Sequence, residues 1–401
     1  MIPKLGTPRR LLAALAATGA VVALSACGSA GGGSTAGATP PGSSASTPSQ
    51  SAGSGSSQAP TTDTAAVIAA AGEATGTSWC GTKPITLGIE DGFGTNGWSQ
   101  SSMAAVRSEA AECPNVKQVV SIGQGNLQTA ISQINAMTAQ GVNALVVIPD
   151  FGQSELPAIQ AATRAGVKVV PWAADPGGTP GTDYISYVDW DPTNSGKLWA
   201  SWMAETLHGK GNVVFLGGPA GNPVSTAELN GINSVLANYP GIKLLTGNKD
   251  WAVTNWDPAQ AQQTMAALLS KYPNIDGVIT DDGQGSVGAI RAFTSAGRPL
   301  VPFTALEVNQ LGCTYKDLKP SNPNFELATI SSRNWMGRIA ARMAIAAAEG
   351  LPDNDPSIYA LPLLEDSTAG QAPQCDPSLP AAYYFDAKLS TYDLSKYGTT
   401  S

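Results

Sequence analysis

Gly141-Val-Asn-Ala-Leu-Val-Val-Ile-Pro-Asp150 is a short apolar run closed by a proline and an acid, and Asn274-Ile-Asp-Gly-Val-Ile-Thr-Asp-Asp282 repeats its form. The approach to each run is also alike. Val116 to Ile122 reads as a strand, Leu127 to Gln140 as an amphipathic helix and Ala144 to Ile148 as a buried strand. The second stretch offers Ile242 to Leu245, Pro258 to Tyr272 and Gly277 to Thr280 in the same order, which points to two similar α/β lobes. Ile85 to Glu90, Lys168 to Pro171 and Asn212 to Leu216 add further apolar strands before turn-rich loops. Continuous apolar strands alternating with helices form parallel sheets covered on both faces. Right-handed crossovers then gather the strand-to-helix loops on one edge of each sheet, where ligands of α/β folds bind. Two such edges facing one another make a cleft.

Upstream of the lobes, Lys4, Arg9 and Arg10 precede a short apolar run from Leu11 to Leu24, and Leu24-Ser25-Ala26-Cys27 places small residues before a cysteine. A spanning helix needs about 20 apolar residues, so residues 1–26 read as an export leader. The tetrad looks like a lipoprotein box, with Cys27 lipidated on the outer face of the cell membrane. Residues 27–78 are mostly Gly, Ser, Ala, Thr and Pro, which cannot bury enough apolar surface to order themselves, so a flexible linker is expected, with a short helix at Ala65 to Ala71. The leader carries three basic and no acidic residues, so its removal takes the net charge from −8 to −11. That acidity argues against nucleic acid or anionic lipid as a partner. Cys80, Cys113, Cys313 and Cys375 remain, an even number that outside the cytosol implies two disulfides in one of three pairings. Cys80–Cys113 with Cys313–Cys375 is preferred, because each bond then closes within one end of the chain. Without a CxxC pair, zinc is not expected.

Gly92-Phe93-Gly94-Thr95-Asn96-Gly97 has GxGxxG spacing between a strand and a helix starting at Ser99. The next strand ends at Val120-Ser121-Ile122 with no acid for a ribose hydroxyl, so the glycines read as a tight loop rather than a dinucleotide site. No cofactor is expected. His208 is the single histidine and reads as a helix-end residue, which leaves a nucleophilic triad or a histidine metal site without support. Carboxylates pair at Asp189/Asp191, Asp281/Asp282 and Asp353/Asp355. Two carboxylates across a bond would serve glycoside hydrolysis, but Asp353 and Asp355 fit a solvated turn and the others fit hydrogen bonding to a bound polyol. Trp98, Trp172 and Trp256 fall at the cleft edge, where a flat aromatic face suits the C–H face of a sugar ring. Trp199, Trp202 and Trp335 lie in helical stretches and read as core.

From about Lys83 to Leu364 the chain resembles the periplasmic sugar-binding proteins of the ribose and galactose type, which feed ABC importers. The resemblance is carried by Ile85 to Ile89, Gly141 to Asp150, Ala165 to Pro171, Asp189 to Gly196, Asn274 to Asp282 and Gly288 to Phe293, in that order. It implies a type I periplasmic binding protein fold with two Rossmann-like lobes joined by a three-segment hinge near Tyr187 to Asp189, Thr329 to Ser332 and Tyr359 to Leu361. The implied N-terminal lobe is 79–187 plus 332–359, with helix Trp335 to Glu349 returning to it. The C-terminal lobe is 188–331 plus 360–401, with the tail beyond Asp366 packing along it. Ligand contacts carried over by segment fall on Phe93, Asn96, Trp98, Asp150, Trp172 and Asp175 in the first lobe, and on Glu228, Trp256, Asp282 and Glu307 in the second. Glu228 stands where many members place an arginine, so the guanidinium fork of those relatives is missing at that position.

The function implied is capture of a monosaccharide or related polyol by hinge closure and its delivery to an ABC permease, by a monomeric, lipid-anchored, non-enzymatic protein. Alternatives are the same fold binding a cationic amine in an acidic aromatic box, a sensor for a membrane signalling protein, or a hydrolase. Trp98→Ala is expected to weaken binding while sparing thermal stability.

Overall fold

The computed structural model describes residues 76–399. The leader, Cys27, the segment Ala65 to Ala71 and nearly all of the 27–78 linker therefore lie outside the described residues. The first sheet takes β1 (Ile85–Asp91), then α1 (Gly97–Ala111), β2 (Val116–Ile122), α2 (Leu127–Ala139), β3 (Ala144–Ile148), α3 (Leu156–Arg164) and β4 (Lys168–Pro171). Its strands run parallel in the order β2-β1-β3-β4.

The chain crosses over through β5 (Asp189–Trp190) into α4 (Pro192–Thr206), β6 (Gly211–Gly217), α5 (Pro223–Leu236), β7 (Ile242–Leu244), β8 (Ala252–Val253), α6 (Pro258–Lys271), β9 (Gly277–Thr280), α7 (Gly283–Ser295), β10 (Phe303–Leu306), α8 (Asn309–Leu318) and β11 (Leu327–Ile330). It returns in α9 (Met336–Glu349), crosses again at β12 (Ile358–Tyr359), and ends in β13 (Leu363–Asp366) and α10 (Thr391–Tyr397). The second sheet has the order β13-β11-β10-β9-β6-β7 with β8 beside β6, and β13 is its one antiparallel strand. Two of the three crossings pair with each other, β12 parallel to β5, and the third is the segment between β11 and α9.

Local chemistry explains the sharp starts of the second-lobe helices. Asp191, Asn222 and Asp257 each accept a backbone N–H one turn on, and Pro192, Pro223 and Pro258 follow directly, where the missing N–H is not needed. α9 stops at Gly350, whose φ of 80° suits glycine. Each sheet is covered on both faces. One apolar cluster of the first lobe joins Leu87, Val146, Trp172 and Met336 to Ile345, and the other joins Ile134, Leu145, Val169 and Ile159. α9 thus does pack in the first lobe, and Trp199, Trp202 and Trp335 are buried core residues. The disulfides are Cys80–Cys113 and Cys313–Cys375.

The tail departs from the expected course. It does begin on the second lobe, where the Asn309 side chain donates to the carbonyls of Asp376, Leu379 and Pro380 at 2.9, 3.2 and 3.1 Å, and Tyr384, Ala387 and Leu389 are buried beside Phe293 and Leu311. It then crosses over. The Ser331 and Ser332 hydroxyls donate to Asp386, α10 packs on α1, and Arg107 donates to the Tyr397 carbonyl at 3.0 Å. The segment therefore straps the second lobe to α1 across the third hinge strand, instead of lying along one lobe.

Candidate functional site

The carboxyl ends of both sheets face a pocket with about 570 Å³ of atom-free space, its open side included. Phe93 and Asn96 reach it from the β1–α1 loop, Trp98 from the first turn of α1, Asp150 from just past β3, and Ala173 from just past β4. Val224, Trp256, Asp281, Asp282 and Gln284 close it from the second lobe, and Arg333 enters from the hinge. The β1–α1 loop turns on Asp91, whose Oδ1 accepts the N–H groups of Phe93 at 2.9 Å and Gly94 at 2.7 Å. A Cβ on Gly94 would sit 2.3 Å from Ile122, and its φ is 72°, so only glycine lets the loop present Phe93 to the pocket. Asn96 then caps α1 through the Ser99 N–H at 2.8 Å, and Asp282 caps α7 through Gln284 and Gly285.

Contacts across the cleft hold it shut. The Asn222 amide donates to the Asp150 carbonyl at 3.0 Å, and the Phe93 and Trp256 rings meet edge to face at 5.4 Å. Trp256 is itself fixed by donating to Asp281 Oδ1 at 3.1 Å, while Asp281 Oδ2 accepts from Ser225 at 2.5 Å.

Arg333 is the cation of this pocket. Its guanidinium lies 3.4 Å from the Trp190 ring centroid and 5.7 Å from that of Trp98, and the residue is 6 % exposed. Among the described residues neither Nε nor Nη1 has a hydrogen-bond partner, so donors in a desolvated site await acceptors. Its φ of 71° is unusual for a side chain of this size. Seven non-glycine residues among those described have positive φ, and Ala173, Trp256 and Arg333 line this pocket while Gln124 and Asn255 line the cavity at its mouth. Such strain persists where surrounding structure enforces it, most often at functional sites.

Burial dominates the titration of the acids. Asp281 is pushed up to about 6 and Asp282 to about 7 by desolvation. Asp150 rises well above the usual carboxylate range through burial and through the charges of Asp91 and Glu155. Asp91, Glu155 and Asp189, desolvated as well, move to about 6, about 7 and about 8. A raised folded-state value means that the folded chain holds protons the unfolded chain has released, so this stabilising contribution is complete below about pH 4 and is lost as pH climbs through 6 to 8. Thermal melting at constant ionic strength is expected to give a Tm several degrees higher at pH 5 than at pH 8. A higher Tm at pH 8 would mean that these acids are ionised and paired.

Of the residues singled out from sequence, Phe93, Asn96, Trp98, Asp150, Trp256 and Asp282 come together in the pocket. The other four lie off its lining. Trp172 is buried beneath Trp98, with ring centroids 6.0 Å apart. Asp175 is exposed and accepts the Gly177 N–H at 2.7 Å in a turn. Glu228 is 0 % exposed on α5, where Arg333 partly offsets the burial that raises its pKa, and Glu307 accepts the N–H groups of Phe385 and Asp386 from the tail. Sequence reasoning missed Arg333, Ser99 and Gln284. The signal for Arg333 was its place one residue beyond the predicted hinge segment Thr329 to Ser332. His208 lies just past the C-terminus of α4, one residue after its cap Leu207, in left-handed backbone.

Trp98 needs a corrected expectation. It is partly buried, packs against three of the apolar clusters, and donates its indole N–H to the Ser332 carbonyl at 2.6 Å. Trp98→Ala should therefore lower stability by about 3 kcal/mol along with affinity, as for other large-to-small aromatic changes. Chemical denaturation reads the first effect, and a shift under about 1 kcal/mol would return Trp98 to a purely ligand-facing role.

Comparison with known proteins bears on the same residues. Residues 92–352 match the sequence profile of the family described as "Periplasmic binding protein domain". The xylitol-binding protein of Mycolicibacterium smegmatis is 33% identical over 198 residues, 49% of this chain and 55% of that protein. The galactofuranose-binding protein YtfQ of Escherichia coli is 25% identical over 215 residues, 53% of this chain and 67% of that one. The chain thus spans between half and two thirds of the length of these relatives. Among solved structures, a galactofuranose binding protein superposes with a TM-score of 0.61 at 20% identity, covering 78% of this chain and 98% of the other. A Mycobacterium smegmatis protein in complex with β-D-fucofuranose gives 0.61 at 19% identity, over 71% and 93%. These likenesses share the two-lobed type I architecture described above. With its profile match running from the β1–α1 loop to the end of α9, the chain belongs to the periplasmic binding protein family.

Proposed function

We propose that this chain is an extracytoplasmic solute-binding lipoprotein that captures a monosaccharide or related polyol between its lobes and delivers it to an ABC importer. The lobes are taken as 79–187 plus 332–359 and 188–331 plus 360–401, with the last segment of the tail reaching across to α1, and the ligand as the bridge that favours their closed arrangement. Cys27 would carry the lipid that holds a monomer at the outer face of the membrane.

The observation that carries this reading is the presence of unsatisfied donors on Arg333 and of the Asp150 carboxyl in one lining, inside walls formed by Phe93, Trp98 and Trp256. A polyol offers both lone pairs and O–H donors on a ring or chain with apolar C–H faces, and so meets all three requirements. The relatives named for xylitol, galactofuranose and xylose support the same class of ligand. A cationic amine fits less well, because Arg333 places a positive charge at the pocket wall. Calorimetry with xylitol, xylose, ribose, galactose and myo-inositol, set against choline and betaine, tests the reading. Micromolar or tighter binding of at least one sugar or polyol is the expected result, and tight amine binding with no sugar response would overturn it.

A further inference from the structure

A second cavity, with about 870 Å³ of atom-free space including its open side, lies at the mouth of the cleft. It shares Phe93, Asn96, Trp256 and Gln284 with the inner pocket, and those four form the throat between the two. Its own wall comes from both lobes, with Gln124 from the β2–α2 loop, Asn255 from the approach to α6 and Gln260 from the first turn of α6. We propose that this mouth is a second carbohydrate subsite, so that a glycoside of two linked units, its first ring in the inner pocket, binds more tightly than a single ring. The proposal rests on the inner pocket taking the first unit.

Three features favour a sugar there. Gln124, Asn255, Gln260 and Gln284 all carry primary carboxamides, each able to donate and accept, which is the pattern that reads hydroxyl groups without selecting a charge. Asp257, the acid of this lining, is engaged in capping α6 through the Gln260 N–H at 2.7 Å. Phe93 and Trp256 present aromatic surface at the throat, held at an interplanar angle of 68°. The wall is also preset. Gln124, Asn255 and Trp256 hold φ of 55°, 52° and 52°, and the Asn255 amide is tied to Gln260 Oε1 at 2.7 Å. A rim of this polarity does not suit an acyl or alkyl group, which would strand the carboxamides from water.

Calorimetry on the full chain tests this with xylose against xylobiose and galactose against β-1,4-galactobiose. At least one disaccharide should bind tenfold or more tightly than its single unit. Gln124→Gly combined with Asn255→Gly, which keeps the left-handed backbone while deleting both carboxamides, should erase that advantage and leave single-unit affinity unchanged. Gln260→Ala, in the exposed first turn of α6, serves as a second variant should the double change unfold the protein. Single units binding as tightly as both disaccharides, or a disaccharide advantage that survives the variants, would overturn the outer subsite alone. Failure of single units and disaccharides alike would overturn the inner-pocket reading as well.

Discussion

Arg333→Gln is expected to weaken sugar or polyol binding by at least a hundredfold. Nε and Nη1 of Arg333 have no partner among the described residues, and a ligand oxygen that meets them gains charge-assisted hydrogen bonds in a desolvated site. Loss of two such bonds amounts to about 3 kcal/mol, and a hundredfold change in affinity corresponds to about the same figure. Glutamine keeps a donor but neither the fork nor the charge, and Arg333→Lys should rescue little, because an ammonium cannot reproduce two parallel N–H groups or stack flat on Trp190. Calorimetry gives the affinity, and melting separates the second role of this side chain. Glu228, Asp189 and Asp281 all face the guanidinium electrostatically, so its removal raises their pKa values further. The variant should melt close to the parent at pH 5, where these acids are protonated, and well below it at pH 8. Affinity within tenfold of the parent would reduce Arg333 to a structural counter-charge.

Ending the chain after Pro380 is expected to lower Tm by about 10 °C or more while leaving the Cys313–Cys375 bond in place. The deleted segment contains Tyr384 and Leu389, each 2 % exposed against the second-lobe core. Burying side chains of this kind is worth roughly 2–3 kcal/mol apiece, and in a protein of this size each kcal/mol moves the midpoint by about 2–4 °C. The deletion also removes the two N–H groups that Glu307 accepts and the Asp386 carboxylate that receives both hinge serines. Differential scanning calorimetry checks this, and an unchanged midpoint would make the tail a passenger.

The repeated strand phrases ending at Asp150 and Asp282 were enough to read the two lobes, because parallel strands buried on both faces write themselves as unbroken apolar runs. β2, β3, β4 and β9 have the bounds read from the sequence. The strands β10, β11 and β13 were not legible. β13, Leu363-Leu-Glu-Asp366, pairs antiparallel at an edge with half its residues polar. For the pocket, residues in strand-to-helix loops could be placed because topology dictates which edge they occupy. Arg333 could not, since a hinge segment has no periodicity and nothing local shows that Ser331 and Ser332 are tied to Asp386 far along the chain. Glu228 and Glu307 failed to reach the lining for a related reason. Their positions follow the sequence pattern, but helix rotation and the tail decide which way their carboxylates point.

The two disulfides bear on how this protein should be made. Their sequence separations of 33 and 62 residues correspond to about 4 kcal/mol each of lost denatured-chain entropy in the loop-closure account. Glutathione and thioredoxin keep cytosolic thiols reduced. Material harvested from an ordinary bacterial cytosol would therefore carry Cys80, Cys113, Cys313 and Cys375 as thiols and a strap no longer pinned at Cys375, and affinities measured on it would describe a looser molecule. Oxidising expression hosts, or refolding under a defined redox couple, recover the molecule described above.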